Sequence, residues 1–164
     1  MKICKVISKS QIQRVADLAR EIWHEHYIPI IGIKQVNYMI ANFQSIDAIT
    51  GQIEDGYKYY LVKYQGQYAG YFAILNDIKN SHMFLSKLYI HKNFRALGLA
   101  RSCVIYMEDI CRELNLTTIW LTANKYNDIA IKAYLSMGFV NVESITQDIG
   151  NGFIMDDYRM EKKI

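Results

Sequence analysis

The sequence is poor in the residues that mark linkers, disulfide frameworks and metal sites. Its 164 residues contain one proline and three cysteines. Cys4, Cys103 and Cys111 are odd in number and lack the spacing of metal ligands, so we expect buried, reduced thiols. No Pro/Gly/Ser-rich stretch, repeat or block of one charge divides the chain. The length therefore suits a single domain, residues 1–164, that buries most of its apolar surface.

Long apolar runs and a strong net charge are also missing. The apolar stretches fall well short of the roughly 18 residues that a membrane span needs, and Lys2 and Lys5 interrupt the N-terminal apolar residues, unlike a signal peptide. We therefore expect a cytoplasmic protein with no membrane partner. The net charge of +3 is too mild to indicate a nucleic-acid partner.

Two common nucleotide-binding motifs, GxGxxG and GxxxxGK followed by Ser or Thr, are absent as well. The sequence has instead the segment RALGLA at residues 95–100, between a predicted buried strand at 85–90 and a predicted amphipathic helix from Leu99. The first N–H groups of a helix have no partner inside it, and the helix dipole favours an anion there. Because Gly98 permits close approach and Arg95 supplies a forked cation, the segment predicts an anion-binding loop.

A second informative segment, residues 127–139, follows another predicted buried strand at residues 118–122. Asn127 suits the N-cap of a short helix, and Gly138 suits its left-handed C-terminal stop. Asn127, Ala130 and Tyr134 share one face of this helix, so an amide, a small side chain and a phenol look in one direction. This face suits a ligand, and ordinary core packing of Ala130 and Tyr134 is the alternative.

In this order, the two segments resemble the GNAT superfamily of N-acetyltransferases. Their resemblance to the family covers residues 83–140 strongly and the flanks loosely. The family motif Gln/Arg-x-x-Gly-x-Gly/Ala is matched by Arg95, Gly98 and Ala100, with Ala96 where many members carry a second glycine. The later family pattern, roughly Asn-x-x-Ala-x-x-x-Tyr-x-x-x-Gly-Phe, is matched by Asn127, Ala130, Tyr134, Gly138 and Phe139.

The resemblance implies an α/β fold with a mixed α+β sheet of about seven strands, mostly antiparallel, with one splayed parallel pair and flanking helices. A strand–helix–strand crossover at residues 85–122 independently favours the parallel pair. The family's cofactor is acetyl-CoA, whose pantetheine arm would lie in the gap of that pair. By this resemblance the cofactor-binding residues are Leu88, Tyr89, Ile90, Arg95, Ala96, Leu97, Gly98, Leu99, Ala100, Arg101, Asn124, Asn127, Ala130 and Tyr134.

The resemblance also assigns Tyr134 as the general acid that protonates the departing thiolate. The general base is less defined, because the strand at residues 83–90 lacks the glutamate that several family members carry there. We expect Glu25 to take this role, with its neighbours His24 and His26 as alternatives. Other candidate proton acceptors are Asp77, Asp156, Asp157 and a water chain. His24 and His26 are two residues apart, which does not suit a zinc site, and we expect no metal.

The acceptor wall in this family lies between the first strand and the following hairpin. Here that stretch contains Trp23, His24, Glu25, Tyr27 and Tyr38, a mixture that can hold an alkylammonium by cation–π contact and charge. Core packing of Trp23 and Tyr38 is the alternative.

A looser resemblance, to the bacterial PaiA-type branch, suggests a small primary amine such as a polyamine as the acceptor. The expected function is acetyl transfer by direct attack in a ternary complex. Transfer to a protein or peptide, and a non-catalytic acyl-CoA-binding regulatory module, are the alternatives.

The remaining segments predict short helices and hairpins around these motifs. We expect a first strand at residues 3–7 and a helix capped by Ser10 and Gln13 that ends near Tyr27 to Pro29. Further elements are predicted as helices at 34–43 and 45–54 and as hairpins at 57–64 with 67–75 and 140–149 with 153–162. A sheet edge formed by these hairpins could pair with a second copy, so a homodimer is possible.

Overall fold

A computed structural model describes all residues, 1–164. The chain divides into two compact units. The first comprises Met1–Leu75 and Lys87–Cys103, and the second comprises Asn76–Ser86 and Val104–Ile164. The single-domain organisation stays a prediction.

Seven strands and four α-helices make up the chain. In order they are β1 (Lys2–Lys5), α1 (Lys9–Phe43), α2 (Ile46–Glu54), β2 (Lys58–Tyr64), β3 (Gln67–Asp77), β4 (His82–Ile90), α3 (Leu99–Leu114), β5 (Thr118–Asn124), α4 (Asp128–Ser136), β6 (Val140–Gly150) and β7 (Phe153–Lys163). The predicted helices at 34–43 and 45–54 and both predicted hairpins are therefore confirmed, within the few residues by which element ends vary.

The strands form one sheet in the order β1-β2-β3-β4-β5-β7-β6. Strands β4 and β5 run parallel, through the pairs His82↔Thr118 to Phe84↔Trp120. The neighbours β1–β2, β2–β3, β5–β7 and β7–β6 pair antiparallel. The predicted fold class, a mixed and mostly antiparallel sheet with one parallel pair and flanking helices, is confirmed.

Helix α1 begins two residues earlier than expected. Its capping box is formed by Ser8 and Gln11, whereas the predicted pair Ser10 and Gln13 lies inside the helix. The Ser8 hydroxyl accepts from the Gln11 N–H at 3.3 Å, and the Gln11 side chain accepts from the Ser8 N–H at 3.0 Å. Ser8 has the extended backbone that an N-cap requires, and this explains the difference.

The same helix continues through Pro29, where we expected it to end, and breaks at Gly32. Gly32 has φ +81°, a left-handed conformation that glycine adopts without a Cβ penalty. His24 spans this break, because its Nε2 lies 3.0 Å from Asn37 Oδ1 in the following half. Helix α1 therefore consists of two helical halves.

The first unit has an apolar core formed by α1 and the β2–β3 hairpin. Val15, Ala19 and Ile22 are buried along one stripe of α1, and Leu61 and Tyr71 are fully buried in the hairpin. Their spacing in α1 is that of one helix face. Burial of this face anchors the part of α1 that carries the predicted acceptor residues.

The cysteines are free thiols, as predicted, although only two of them are fully buried. Cys103 and Cys111 are buried, and Cys4 is half-buried. Burial raises the pKa of Cys103 to about 12 and that of Cys111 to about 11. In the second unit Cys111 Sγ packs 3.9 Å from Met83 Sδ. Neither buried thiol ionises near neutral pH, so neither suits a nucleophile.

Gly70 in β3 marks a close approach to β4 and generates a first prediction. An added Cβ would lie 2.2 Å from the Tyr89 carbonyl oxygen and 3.1 Å from Ile90 Cα, and the backbone must move to accept it. We expect Gly70→Ala to lower the free energy of unfolding by about 3 kcal/mol or more. Chemical denaturation measures this loss.

The matched control is Gly51→Ala in α2, where an added Cβ meets no atom within 4 Å. A helical Gly→Ala change of this kind should raise stability by about 0.5–1 kcal/mol. Equal stabilities of the two variants would contradict the close approach.

Candidate functional site

The predicted anion-binding loop has an unusual backbone. Ala96 and Gly98 both adopt positive φ, 61° and 74°. Such a conformation is uncommon for alanine, and non-glycine residues held there cluster at ligand sites. Helix α3 begins at Leu99, and the N–H of Ser102 bonds the Gly98 carbonyl at 3.0 Å. The earlier N–H groups of this first turn have no carbonyl inside the helix and suit an anion.

Space is available beside this loop. An added Cβ on Gly98 would meet no atom within 4 Å, so a ligand can approach the backbone there. Backbone donors, a helix N-terminus and open space together fit a diphosphate.

The Arg95 side chain contacts protein groups. Its Nε donates to the Ile90 carbonyl at 3.1 Å, and its two terminal nitrogens donate to the Glu25 carboxylate at 3.2 and 2.6 Å. The hydrogen bond from Arg95 lowers the pKa of Glu25. One turn earlier on α1, Glu21 lies 3.8 Å from His91 Nε2. The segment after β4 is thus tied to α1, and Arg95 orients the loop through its side chain.

Aromatic side chains of α1, β3 and β4 form a cluster in the first unit. Trp23 stacks on Tyr27 with ring centroids 4.3 Å apart, and Tyr89 of β4 meets Trp23 edge-on at 5.6 Å. Tyr71 lies 5.4 Å from Tyr89. Of the predicted acceptor residues, Glu25 contacts Arg95 of the loop, and Trp23 and Tyr27 contact Tyr89 near the end of β4. An aromatic cluster beside a carboxylate suits an alkylammonium.

The other predicted acceptor and base residues have structural roles in this arrangement. The His24 ring lies between Arg20 O and Asn37 Oδ1 and bridges the two halves of α1. His26 packs edge-on against Tyr27 at 4.9 Å. The carboxylate of Asp77 accepts from the backbone and side chain of Asn80, which fixes the turn before β4.

A buried lysine in the first unit escaped the sequence analysis. Lys87 is 7% exposed and donates to Gln52 Oε1 at 2.7 Å, where the Tyr59 hydroxyl also donates at 2.6 Å. Burial lowers the pKa of Lys87 to about 8. The available signal was its position in β4, in line with the buried Met83 and Leu85 at alternate residues.

The second predicted segment lies in the second unit, with the expected local geometry. Asn127 caps α4, and its side chain accepts from the Ala130 N–H at 3.3 Å. The Asn124 side chain accepts from the Tyr126 N–H at the end of β5. The Tyr134 ring meets Phe139 edge-on at 5.4 Å. The side of α4 that carries Tyr134 is therefore positioned by the cap and by this aromatic contact.

The predicted cofactor residues thus divide between the two units. The first unit contains residues 88–90 at the end of β4 and residues 95–101 in the loop and the first turn of α3. The second unit contains Asn124 together with Asn127, Ala130 and Tyr134. No group of three or more His, Cys, Asp or Glu side chains is placed to hold a metal ion.

Asp157 of β7 is the most unusual titratable group in the second unit. It is only 4% exposed, and its Oδ1 is buried without a hydrogen-bond partner. Burial raises the pKa of Asp157 to about 6, although a hydrogen bond with Thr122 lowers it. The neighbouring Asp156 is more exposed and pairs with Lys125. The two adjacent carboxylates therefore have opposite environments, as alternation along a strand requires.

Comparison with known families agrees with these local geometries. The Acetyltransferase (GNAT) family matches residues 15–139, which is well over half of the chain. The chain belongs to this family. The resemblance drawn from residues 95–100 and 127–139 is therefore confirmed.

Individual GNAT relatives are distant. Streptothricin acetyltransferase of Streptomyces lavendulae is 27% identical over 57% of this chain and 49% of its own length. The chain spans about half the length of the curated relatives it matches, 57% and 49% of them.

Two solved GNAT structures share the fold along nearly the whole chain. The PaiA N-acetyltransferase of Thermoplasma acidophilum, in complex with coenzyme A, has a TM-score of 0.80 at 17% identity and full coverage of both chains. A mutant spermidine N-acetyltransferase of Vibrio cholerae has a TM-score of 0.71 at 16% identity, over 99% of this chain and 95% of its own. None of the helices here has the length and apolar character needed to cross a membrane.

The environment of Asp157 generates a stability prediction. Because burial raises the pKa of Asp157 to about 6, the wild-type chain should lose stability as pH rises from about 4 to about 6. Asp157→Asn carries no charge, so it should become more stable than wild type by about 3 kcal/mol at most above pH 7. At pH 4 the two should differ little.

Chemical denaturation at pH 4, 6 and 8 measures this difference. Glu113→Gln, an exposed carboxyl on α3, is the matched control and should show no such dependence. A constant difference between Asp157→Asn and wild type at all three pH values would contradict a buried, ionising Asp157.

Proposed function

We propose that this protein transfers an acetyl group from acetyl-CoA to a primary amine. The observation that carries the proposal is the loop at residues 95–100, where two left-handed residues lead into the N-terminus of α3 in a chain of the GNAT family. The backbone of that loop suits a diphosphate. Acetyl-CoA, when bound, supplies the acetyl group as a thioester with a thiolate leaving group.

Cofactor binding would use both predicted segments. The backbone of Ala96, Gly98 and the first turn of α3 would hold the diphosphate, with Leu97, Ala100 and Arg101 flanking it. Arg95 would keep the loop in place through Ile90 and Glu25. In the first unit, backbone groups of residues 88–90 would contact the pantetheine arm. In the second unit, the family resemblance assigns Asn124, Asn127 and Ala130 to cofactor binding.

Tyr134 would act as the general acid. A phenol with a pKa of about 10 is protonated at neutral pH, and proton transfer to a thiolate of about 8.5 is uphill by only about 2 kcal/mol. A hydrogen bond in the site can offset that difference. The edge-on contact with Phe139 positions the Tyr134 ring.

The acceptor would be a small amine such as a polyamine. The aromatic rings of Trp23, Tyr27 and Tyr89 and the carboxylates of Glu21 and Glu25 lie in one unit and suit an alkylammonium. Structural neighbours include a PaiA N-acetyltransferase and a spermidine N-acetyltransferase, which supports this class. Streptothricin acetyltransferase favours an amine-bearing antibiotic as a second candidate.

Transfer to a peptide or protein and a non-catalytic acyl-CoA-binding role remain alternative hypotheses. A cytoplasmic location and a homodimer also belong to the proposal.

An amine panel tests the function directly. The chain is incubated with acetyl-CoA and, in separate reactions, spermidine, spermine, streptothricin and short peptides, and free CoA thiol is measured. We expect turnover with polyamines. Turnover with peptides alone would contradict a polyamine acceptor and support transfer to a peptide or protein. Tight acetyl-CoA binding without any turnover would support the non-catalytic alternative.

The assignment of Tyr134 is tested by Tyr134→Phe. Loss of the hydroxyl should lower kcat by roughly 10²- to 10³-fold, because general acid catalysis contributes on that scale. Affinity for acetyl-CoA, measured by calorimetry, should change little. The control is Tyr126→Phe, an exposed tyrosine near the same helix, which should retain wild-type kcat. An unchanged kcat in Tyr134→Phe would remove this assignment.

The role of Glu25 is tested by Glu25→Gln. The Arg95 hydrogen bond lowers the pKa of Glu25, which makes its carboxylate a weaker base than usual. We therefore expect a positioning effect, an acetyl-CoA affinity weaker by up to about fivefold with nearly unchanged kcat. Glu113→Gln, an exposed carboxyl on α3 with no proposed role, is the control and should change neither quantity. A large loss of kcat with unchanged affinity would instead support Glu25 as the base.

A further inference from the structure

A cavity in the first unit lies outside the proposed cofactor and acceptor residues. It has a volume of about 420 Å³ and lies where the two halves of α1 meet the start of α2. Its lining comes from Ala16 and Arg20 in the first half of α1, from the stretch between Asn37 and Gln44 in the second half, and from residues 45–47. Cavities of this size are typical of small-molecule sites. The proposed acetyl transfer gives this cavity no role.

The walls of the cavity are fixed by contacts within the protein. Arg20 and Asn37 lie on opposite halves of α1, and the His24 ring joins them. Its Nδ1 lies 2.7 Å from the Arg20 carbonyl oxygen, and its Nε2 lies 3.0 Å from Asn37 Oδ1. On the other side, the Ser45 hydroxyl accepts from the Ala48 N–H at 3.2 Å and caps α2. The cavity is therefore preformed, which lowers the entropic cost of binding a ligand.

The charged lining of the cavity contains one group of each sign. Arg20 supplies a guanidinium and Asp47 supplies a carboxylate, and neither forms a salt bridge within the protein. Because these charges cancel, the lining disfavours a polycation or a polyanion and suits a molecule that carries both charges. Ile40, Ala41 and Ile46 add apolar surface. A zwitterion with an aliphatic side chain matches this combination.

Hydrogen-bond donors for a carboxylate lie in the same lining. Helix α2 begins at Ile46, and its first N–H groups have no carbonyl inside the helix. Gln44 is only 3% exposed, and its Oε1 accepts from the Tyr71 hydroxyl at 3.1 Å. The N–H groups of the Gln44 amide make no hydrogen bond within the protein. A ligand carboxylate would give these donors an acceptor.

Gln44 also connects the cavity to the aromatic cluster of the same unit. The ring of its partner Tyr71 lies 5.4 Å from the ring of Tyr89, which in turn lies 5.6 Å from Trp23. Tyr71 and Trp23 are buried. Because buried side chains are closely packed, a shift of the Gln44 amide displaces its neighbours as well. Occupancy of the cavity would therefore change the surroundings of Trp23.

We propose that this cavity binds a free α-amino acid with an aliphatic side chain and that its occupancy shifts the aromatic cluster through Gln44 and Tyr71. The α-carboxylate would accept from the Arg20 guanidinium, the Gln44 amide and the first N–H groups of α2. The α-ammonium would donate to the Asp47 carboxylate, and the side chain would lie against Ile40. This site goes beyond the proposed acetyl transfer and does not depend on it.

The chemistry of the ligand is tested by calorimetry with L-valine, L-leucine and L-isoleucine. Two analogues of leucine, isoamylamine and 4-methylpentanoate, each keep one of its charges. At least one of the amino acids should bind with a Kd of about 1 mM or tighter, and the leucine analogues should bind at least about tenfold more weakly than leucine. Binding of either analogue as tight as that of leucine would overturn the zwitterion. Absence of binding by all three amino acids up to about 10 mM would overturn the site.

Variants of the lining test where the amino acid binds. Arg20→Gln and Asp47→Asn each remove one charge, and each should weaken binding by about tenfold or more. Ala41→Phe keeps both charges and fills the cavity, so it should abolish binding. Glu54→Gln, an exposed carboxyl at the end of α2 and outside the lining, is the matched control and should bind as wild type does.

All four of these positions are exposed, so the variants should keep the wild-type Tm. An amino acid that binds at the aromatic cluster instead would keep its affinity in the three lining variants. Wild-type affinity in any of those three would therefore overturn the site.

The connection to the aromatic cluster is tested by the fluorescence of Trp23. Trp120→Phe leaves Trp23 as the only tryptophan of the chain. In this background a saturating amino acid should shift the emission. Adding Tyr71→Phe, which removes the hydrogen bond to Gln44, should preserve binding and abolish the shift. An unchanged spectrum with the amino acid bound, or a full shift in the Tyr71→Phe variant, would overturn the connection.

The outcomes separate this site from the proposed function. Calorimetry and fluorescence need neither acetyl-CoA nor an amine acceptor. Failure of the amino acids to bind would overturn the cavity site and leave acetyl transfer intact. Binding that depends on Arg20 and Asp47 would support the site even if no amine of the panel were acetylated.

Discussion

The guanidinium of Arg95 makes the contacts that position the loop before α3 against helix α1 in the first unit. It joins the end of β4, through the Ile90 carbonyl, to helix α1, through the Glu25 carboxylate. Both bonds orient the loop whose left-handed residues Ala96 and Gly98 present backbone donors before α3. A partly exposed ion pair adds little stability. Its importance is therefore geometric, because it holds the loop and the aromatic residues of α1 in one fixed relation within this unit.

Beside the buried thiols, each unit contains a buried lysine or aspartate whose charged form is disfavoured by burial. In the first unit, Lys87 and the Tyr59 hydroxyl both donate to the Gln52 side chain. In the second unit, Asp157 hydrogen-bonds to the exposed Thr122. Burial lowers the pKa of the lysine and raises that of the carboxyl, for the same physical reason. Such groups are expected where proton transfer occurs. Asp157 alone has an exposed hydroxyl beside it, which distinguishes the two.

Local signals predicted much of the fold and part of the site. The alternation and turn residues of the hairpins, the N-cap Asn127 and the start of α3 at Leu99 were all readable, because each depends on a few neighbouring residues. The path of α1 through Pro29 to the break at Gly32 was not, because tertiary packing, which buries Val36 and Met39 in the second half of α1, outweighs proline's local preference. The environments of Glu25 and Asp157 were equally hidden, since their partners are distant in sequence.

The sequence by itself determined the family, the fold class and the local geometry of the two motif segments, because these follow from residue types at short, regular spacings. Tertiary structure alone decided which acidic side chains are paired and which are buried. Glu25 lies 70 residues from Arg95 in the chain, and Asp157 meets Thr122 only through the pairing of β5 with β7. The acidity of a carboxyl depends on its solvation and on the charges around it, and no local pattern encodes either.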